Sequence, residues 1–190
     1  MELKISLEIT ALNPLAIATG HATSGLVDSF IIKDTRGLPY IPGTTLKGRL
    51  KYYIQQFARD EDLERLFGKG GNTPGQLIFT DAKLQQPQAA IEIRSTIQVD
   101  RFRKVVVDKA LGFSEAARID LPLYGEIRGF LNNDTAKRDV ALIYLGLKAL
   151  TYIGGGKSKG LGRVRASGNF VLGGRELSES TIKEWVREIV

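Results

Sequence analysis

Polar and apolar residues alternate at the start of the chain. Leu3, Ile5, Leu7 and Ile9 fall on one side and Glu2, Lys4, Ser6 and Glu8 on the other, which predicts a half-buried strand from about Glu2 to Ala11. The period then changes. In "PYIPGTTLKGRLKYYIQQF" the residues Leu46, Leu50, Tyr53, Ile54 and Phe57 recur at helical spacing, after Pro42 and Gly43 punctuate the chain and with Thr44 as the predicted cap. Lys47, Arg49 and Lys51 fall on or beside the solvent side of that helix. "GKGGNTPGQ" is a loop by composition, and "QLIFTDAKL" after it predicts a second strand.

The middle of the chain, Ala89 to Leu131, has a charged, irregular centre flanked by two strand-like runs, the later from about Ala117 to Leu131. A long excursion of this kind inside one domain is usually functional or mobile. Beyond it, "DVALIYLGLKALTYIGGG" predicts an almost wholly apolar, buried helix that stops at glycine. "GRVRASGNFVL" predicts a last strand, and "SESTIKEWVREIV" a terminal helix capped by Ser178 or Ser180. The order strand, helix, strand, strand, helix, strand predicts an α+β fold of ferredoxin-like or RRM-like type, with both helices on one face of an antiparallel sheet. Because this topology hosts many functions, the fold leaves the chemistry open.

Totals narrow the partners. The 190 residues fit one domain, 1–190, and no apolar run approaches the roughly 20 residues of a membrane span, so a cytoplasmic protein with no membrane partner is expected. Cysteine is absent, which removes disulfides and thiolate metal sites. A formal net charge of +6 favours a polyanionic partner.

Two segments suit such a partner. "IGGGKSKGLGRV" places glycines at 154, 155, 156, 160 and 162 among Lys157, Lys159, Arg163 and Arg165, a plausible cradle for phosphate built from backbone N–H groups and cations. It is no Walker loop, since Leu161 stands where Gly-Lys-Ser/Thr would require lysine, and it follows a helix, which excludes a dinucleotide-binding turn. The alternative is a plain connection with solvated lysines. "PYIPGTTLKGRL" offers helix N-terminal amides to an anion, extended by Lys47, Arg49 and Lys51. In the central excursion, Phe102 between Arg101 and Arg103 suits insertion between bases while phosphates are held outside, although an ordinary strand pair with exposed charges fits the same residues.

"LVDSFIIKDTRGLPYIPGTTLKGRLKY" followed by "IGGGKSKGLGRV", with "VDRFRKVVVDKALGFSEAARIDLPLYGEI" between them, closely resembles the RAMP superfamily of CRISPR-associated proteins, and within it the backbone subunit of type III effector complexes. The resemblance implies that copies stack along a guide RNA beside other effector subunits, and that a thumb-like hairpin, about 98–115 here, displaces a base pair between guide and target RNA. Gly154, Gly155, Gly156, Lys157, Lys159, Arg163, Lys47, Arg49, Lys51, Arg101, Phe102 and Arg103 then become RNA-binding candidates.

It also implies cleavage of target RNA at regular intervals by an acidic residue in the loop before the first helix, which in this sequence is Asp28, with a divalent metal, Mg2+ being expected. Without the resemblance, Asp28 reads as a solvated or turn-capping aspartate. Asp34, six residues on, is assigned to the turn leading into "RGLPYIPG". His21, the only histidine, is an RNA contact or a loop residue; as a general acid or base it would instead mark a stand-alone, metal-independent guide-processing endoribonuclease. A non-catalytic RNA-binding scaffold of the same architecture is the other alternative.

Overall fold

The structure, a computed structural model, describes residues 1–19, 29–70 and 73–189, with the backbone alone at 108–110. Along the chain run β1 (Glu2–Ala11), α1 (Gly43–Ile54), α2 (Asp60–Phe67), β2 (Gly68–Lys69), β3 (Thr73–Pro74), β4 (Leu77–Phe79), β5 (Lys83–Leu84), β6 (Ala90–Val99) and β7 (Val106–Arg118). They are followed by β8 (Leu123–Phe130), α3 (Ala136–Ala149), β9 (Val164–Leu172), β10 (Arg175–Leu177) and α4 (Glu179–Arg187).

The main sheet is antiparallel with strand order β10-β9-β1-β8-β4, β5 adding to the same side of β8 as β4. Its principal strands β1, β4, β8 and β9 thus lie in the ferredoxin-like order, first and third in the centre. The alternation of β1 does what it predicts: Leu3, Ile5, Leu7 and Ile9 are buried and the intervening residues are exposed. α1 and α3 cover that face. They cross at Gly146, where a Cβ would collide with the side chain of Ile54, so the close approach requires glycine. Leu46, Leu50 and Ile54 of α1 are buried, each worth about 2 kcal/mol by area, and α3 is buried along most of its length.

Several elements differ from expectation. The N-cap of α1 is Pro42, and Thr44 makes no capping bond, because the chain enters by a reciprocal backbone pair between Ile41 and Ala82. The helix stops at Ile54, where Phe57 N bonds Ile54 O and turns the chain, leaving Phe57 exposed. The next segment, Asp60 to Phe67, is a helix the periodicity missed; Asp60, Glu61 and Asp62 at its start favour the positive end of the helix dipole.

"QLIFTDAKL" forms two strands instead of one: Phe79 faces Ile127 but Lys83 faces Tyr124, so one extra residue bulges out between them. The run from Ala117 to Leu131 is also two strands, since Ala117 and Arg118 close β7 and Pro122, which lacks an N–H, precedes β8. α3 ends at Ala149, ahead of the first glycine. Gly173 and Gly174, both at positive φ, turn β9 back into the unpredicted β10. Ser178 caps α4 by accepting from Thr181 N at 3.2 Å, as one of the two expected caps.

A buried ionic cluster ties α2 to α3. Arg65 donates to Asp62 (2.7 Å) and to Asp139 (2.5 Å), Arg138 donates to Asp62 (2.8 Å), and Thr135 donates to Asp139 (2.8 Å). Burial pushes the Asp62 carboxyl up, but hydrogen bonds from Arg138, Arg65 and the Arg59 backbone outweigh it and hold its pKa at about 2. No described helix is long and apolar enough to cross a membrane.

Candidate RNA interface

The central excursion is a two-stranded antiparallel ribbon, β6 with β7, in a sheet of its own. It runs from Ala90 to Arg118, longer than the expected 98–115, because both ribbon faces are partly exposed and its residues do not sort cleanly by polarity. Its tip is held by one side chain. Asp100 Oδ1 accepts from the backbone N–H of Phe102 (2.8 Å) and of Arg103 (3.0 Å), and Lys104 N closes on Asp100 O (2.8 Å) with Lys104 at φ 55°. Phe102 stands fully exposed between Arg101 and Arg103.

A groove of about 760 Å³ separates this ribbon from the glycine-rich segment. Arg94, Thr96, Gln98, Gly112 and Ser114 line the ribbon wall, and Lys159 and Leu161 face them. The glycine-rich segment is not a bare cradle. Gly155 N donates to Ala16 O (2.8 Å), Gly162 N to Pro14 O (2.9 Å), Lys159 N to Gly156 O (2.8 Å) and Ile153 N to Gly162 O (2.8 Å). Most of the amides a phosphate would need are therefore committed to the protein itself, and the segment presents cations on a fixed loop. Gly154, at φ 84°, is forced by close approach: a Cβ there would lie 2.5 Å from Ala16 O. Lys157 sits over the Tyr152 ring, its Nζ 4.8 Å from the centroid. Arg163 points elsewhere, lining a separate trough with Lys148 and Arg165.

α1 is docked onto the same segment. Arg49 Nη2 donates to Gly154 O at 2.7 Å, and Tyr53 Oη lies 3.1 Å from Thr151 Oγ1. Arg49 therefore joins helix to loop, while Lys47 and Lys51 remain half-exposed. The expected anion at the start of α1 is the protein's own: Asp81 Oδ1 accepts from Gly43 N at 3.0 Å. Gly43 has to be glycine, since a Cβ would meet Phe79 O at 2.5 Å.

Electrostatically this region stands apart. Among the described residues, Lys47, Arg49 and Lys51 of α1, Arg101, Arg103 and Lys104 of the tip, and Lys157, Lys159, Arg163 and Arg165 form no ion pair. On the open face and elsewhere Lys4, Lys33, Arg36, Lys83, Arg128 and Lys183 each face a carboxylate. Arg59, Lys137, Arg175 and Arg187 also lack a carboxylate partner, scattered from the N-cap of α2 to the end of α4.

His21 and Asp28 lie outside the described residues. On either side of them the chain is anchored: Thr19 N donates to Phe30 O (3.1 Å), Glu115 N of β7 donates to Ser29 O (2.9 Å), and Glu115 Oε2 accepts from Ile31 N (3.1 Å). Asp34 holds a turn, as its place before "RGLPYIPG" predicts; it accepts from Leu38 N and Arg36 N, both at 2.9 Å, and the Leu38 bond leads the causes that lower its pKa. Among the described residues no three His, Asp or Glu side chains gather as metal ligands.

The topology and the ribbon define the class first. Solved structures of a type III-B Cmr-beta complex, one of the apo state and one bound to cognate target RNA, contain chains that superpose with TM-scores of 0.70 and 0.69 at 13% identity, each over 87% of this chain and 96% of the other. At that identity they establish the fold. A family model described as the RAMP superfamily matches residues 8–165, and the chain belongs to that superfamily. It is 31% identical over 169 residues to the CRISPR system Cms endoribonuclease Csm3 of Streptococcus thermophilus, over 75% of this chain and 76% of that protein. To the protein of the same name from Mycobacterium tuberculosis (strain ATCC 25618 / H37Rv) it is 26% identical over 204 residues, covering 87% of this chain and 86% of the other.

Proposed function

We propose that this protein is a backbone subunit of a type III CRISPR effector complex, an RNA-guided endoribonuclease that holds guide RNA and cuts complementary target RNA. The observation that carries the RNA side is the set of cations without an ion pair on the groove's two elements and on the helix docked to one of them: Lys159 on the groove wall and Lys157 on the same segment, Arg101 and Arg103 at the ribbon tip, and Lys47 and Lys51 on α1, which Arg49 joins to that segment. Cations that spend no charge on the protein raise local potential and favour a phosphate chain. The endoribonuclease names of the two relatives support the cutting activity.

In this reading guide RNA follows the cations of α1 and the glycine-rich segment, other copies of the chain continue the path, and Phe102 at the ribbon tip intrudes on the base stack. Asp28 is the catalytic carboxylate; it accepts a hydrogen bond from the attacking ribose 2′-OH and orients it toward the scissile phosphate. A divalent cation, Mg2+ by expectation, would be held by Asp28 and supply charge compensation at that phosphate. His21 contacts RNA.

The test is a complex reconstituted with wild-type chain or Asp28→Ala, with target cuts mapped and guide retention measured in parallel. Asp28→Ala should lower the cutting rate by about a hundredfold or more while guide binding stays unchanged. EDTA should stop the wild type. Unaltered cuts from Asp28→Ala would move the chemistry to another residue or subunit and leave the chain as an RNA-binding scaffold.

A further inference from the structure

β9 is paired along its whole length on one side and along only part of it on the other. Toward β1 it runs in register from Val164 opposite Ala11 to Leu172 opposite Leu3. On its outer side β10 covers only Phe170, Val171 and Leu172, because Ser178 caps α4 immediately afterwards and turns the chain off the sheet. The orientation of the uncovered backbone follows from its ends. Arg163 O accepts from Leu12 N (2.8 Å) on the β1 side, whereas Val164 N donates to Thr151 O (2.9 Å) on the outer side. Residues of an antiparallel strand alternate in this respect, so Ala166 and Gly168 also turn their N–H and C=O outward. Among the described residues nothing bonds those four groups.

Two hollows run along this free edge and share Lys148. One, of about 410 Å³, is lined by Arg163, Arg165, Thr151 and Ser167. The other, of about 200 Å³, lies over Gly168 and is walled by Leu147, Phe170 and Ile182 together with Glu179, which already pairs with Lys148 at 3.4 Å. Gly168 is required by packing, since a Cβ there would lie 2.8 Å from Ile5 Cγ2.

We propose that the free edge of β9, Arg165 to Asn169, is a docking site for an extended acidic segment of another protein subunit, which adds a strand in line with β10. A polypeptide backbone supplies donors and acceptors in alternation at strand spacing, matching Ala166 and Gly168, whereas a phosphate chain only accepts. Charge decides the rest: Arg163 and Arg165 have no carboxylate partner among the described residues, so the segment carries its own carboxylates at that end and one apolar side chain for the hollow over Gly168. This surface is separate from the groove between the ribbon and Lys159, and it rests on the proposed assembly only for where the partner is sought.

The experiment is amide hydrogen exchange at Ala166 and Gly168, read for the free chain, the chain with guide RNA alone, and the reconstituted effector complex. Exchange in the complex should slow by about tenfold or more, because an amide in a new ladder exchanges only when its partner leaves. Ala166→Pro removes one outward N–H, which an edge strand tolerates, and should release the protecting subunit while guide binding is unchanged. Arg165→Glu, which leaves the backbone intact, should weaken the same contact if Ala166→Pro proves unstable. Protection produced by guide RNA alone, or by the free chain at high concentration, would overturn the acidic-segment assignment. So would exchange in the complex equal to that of the free chain, with the proposed function standing; a chain that joins no complex would remove both.

Discussion

Replacing Lys157 and Lys159 together by glutamine tests whether the glycine-rich segment grips RNA. Both ammonium groups are exposed and unpaired among the described residues, so each is free to contact one phosphate. For single-stranded nucleic acid the logarithm of the binding constant falls with the logarithm of salt by about 0.7 per neutralised phosphate, so losing two contacts should make the slope shallower by about 1.4. Carried from 1 M down to about 0.15 M salt, that change weakens binding by about tenfold. The assay is fluorescence anisotropy of labelled single-stranded RNA titrated with the purified chain at several salt concentrations. Lys4→Gln and Lys183→Gln are the controls, since these amines already face Glu126 (3.2 Å) and Glu179 (3.3 Å). A wild-type slope in the Lys157/Lys159 variant, or an equal loss in either control, would refute a localised grip and leave only the summed charge of the protein.

Three further predictions concern the frame. Asp139→Ala strips Arg65 of one buried partner and should cost about 3 kcal/mol or more in urea unfolding, with Arg65→Leu on top recovering part of the loss. Asp62 has a folded pKa of about 2 against an ordinary 3.8, so its contribution, about 2 kcal/mol, is complete above pH 3.8 and fades as pH falls toward 2. The stability gap between wild type and Asp62→Asn should therefore be flat from neutral pH to about 4 and close below it. Gly43→Ala forces a methyl against Phe79 O and should destabilise by at least about 1 kcal/mol, lowering the thermal midpoint, whereas Gly48→Ala, with open space at that position, should not.

β1, β9 and α3 were legible because one face or more of each is buried, whereas the long ribbon strands β6 and β7, exposed on both faces, were not delimited. β1 and β9 alternate and α3 is apolar nearly throughout, so their sequence periods report the sheet and its covering helices. α2, β4, β5 and β10 are short, and distant partners decide them: Asp62 and Arg65 of α2 find Asp139 and Arg138 on α3, and Asp81 leaves the strand line to bond Gly43 on α1. The glycine-rich segment was recognisable as a basic loop. What its amides do was not, since their acceptors Pro14 and Ala16 lie far away in sequence. The same holds for Arg49, whose bond to Gly154 makes it a joint between helix and loop as much as a cation on a surface.

The turn at Asp100 has a further consequence. Ordering a backbone residue costs about 1–2 kcal/mol, and a loop that settles only on binding subtracts that cost from its affinity. Here the carboxylate of Asp100 holds residues 102 and 103 by their amides before any nucleic acid arrives, so this entropy is lost when the chain folds. Phe102 therefore projects from backbone that is already in place, and in the function proposed above the free energy of its contact with a base stack would go to unstacking instead of to ordering the turn.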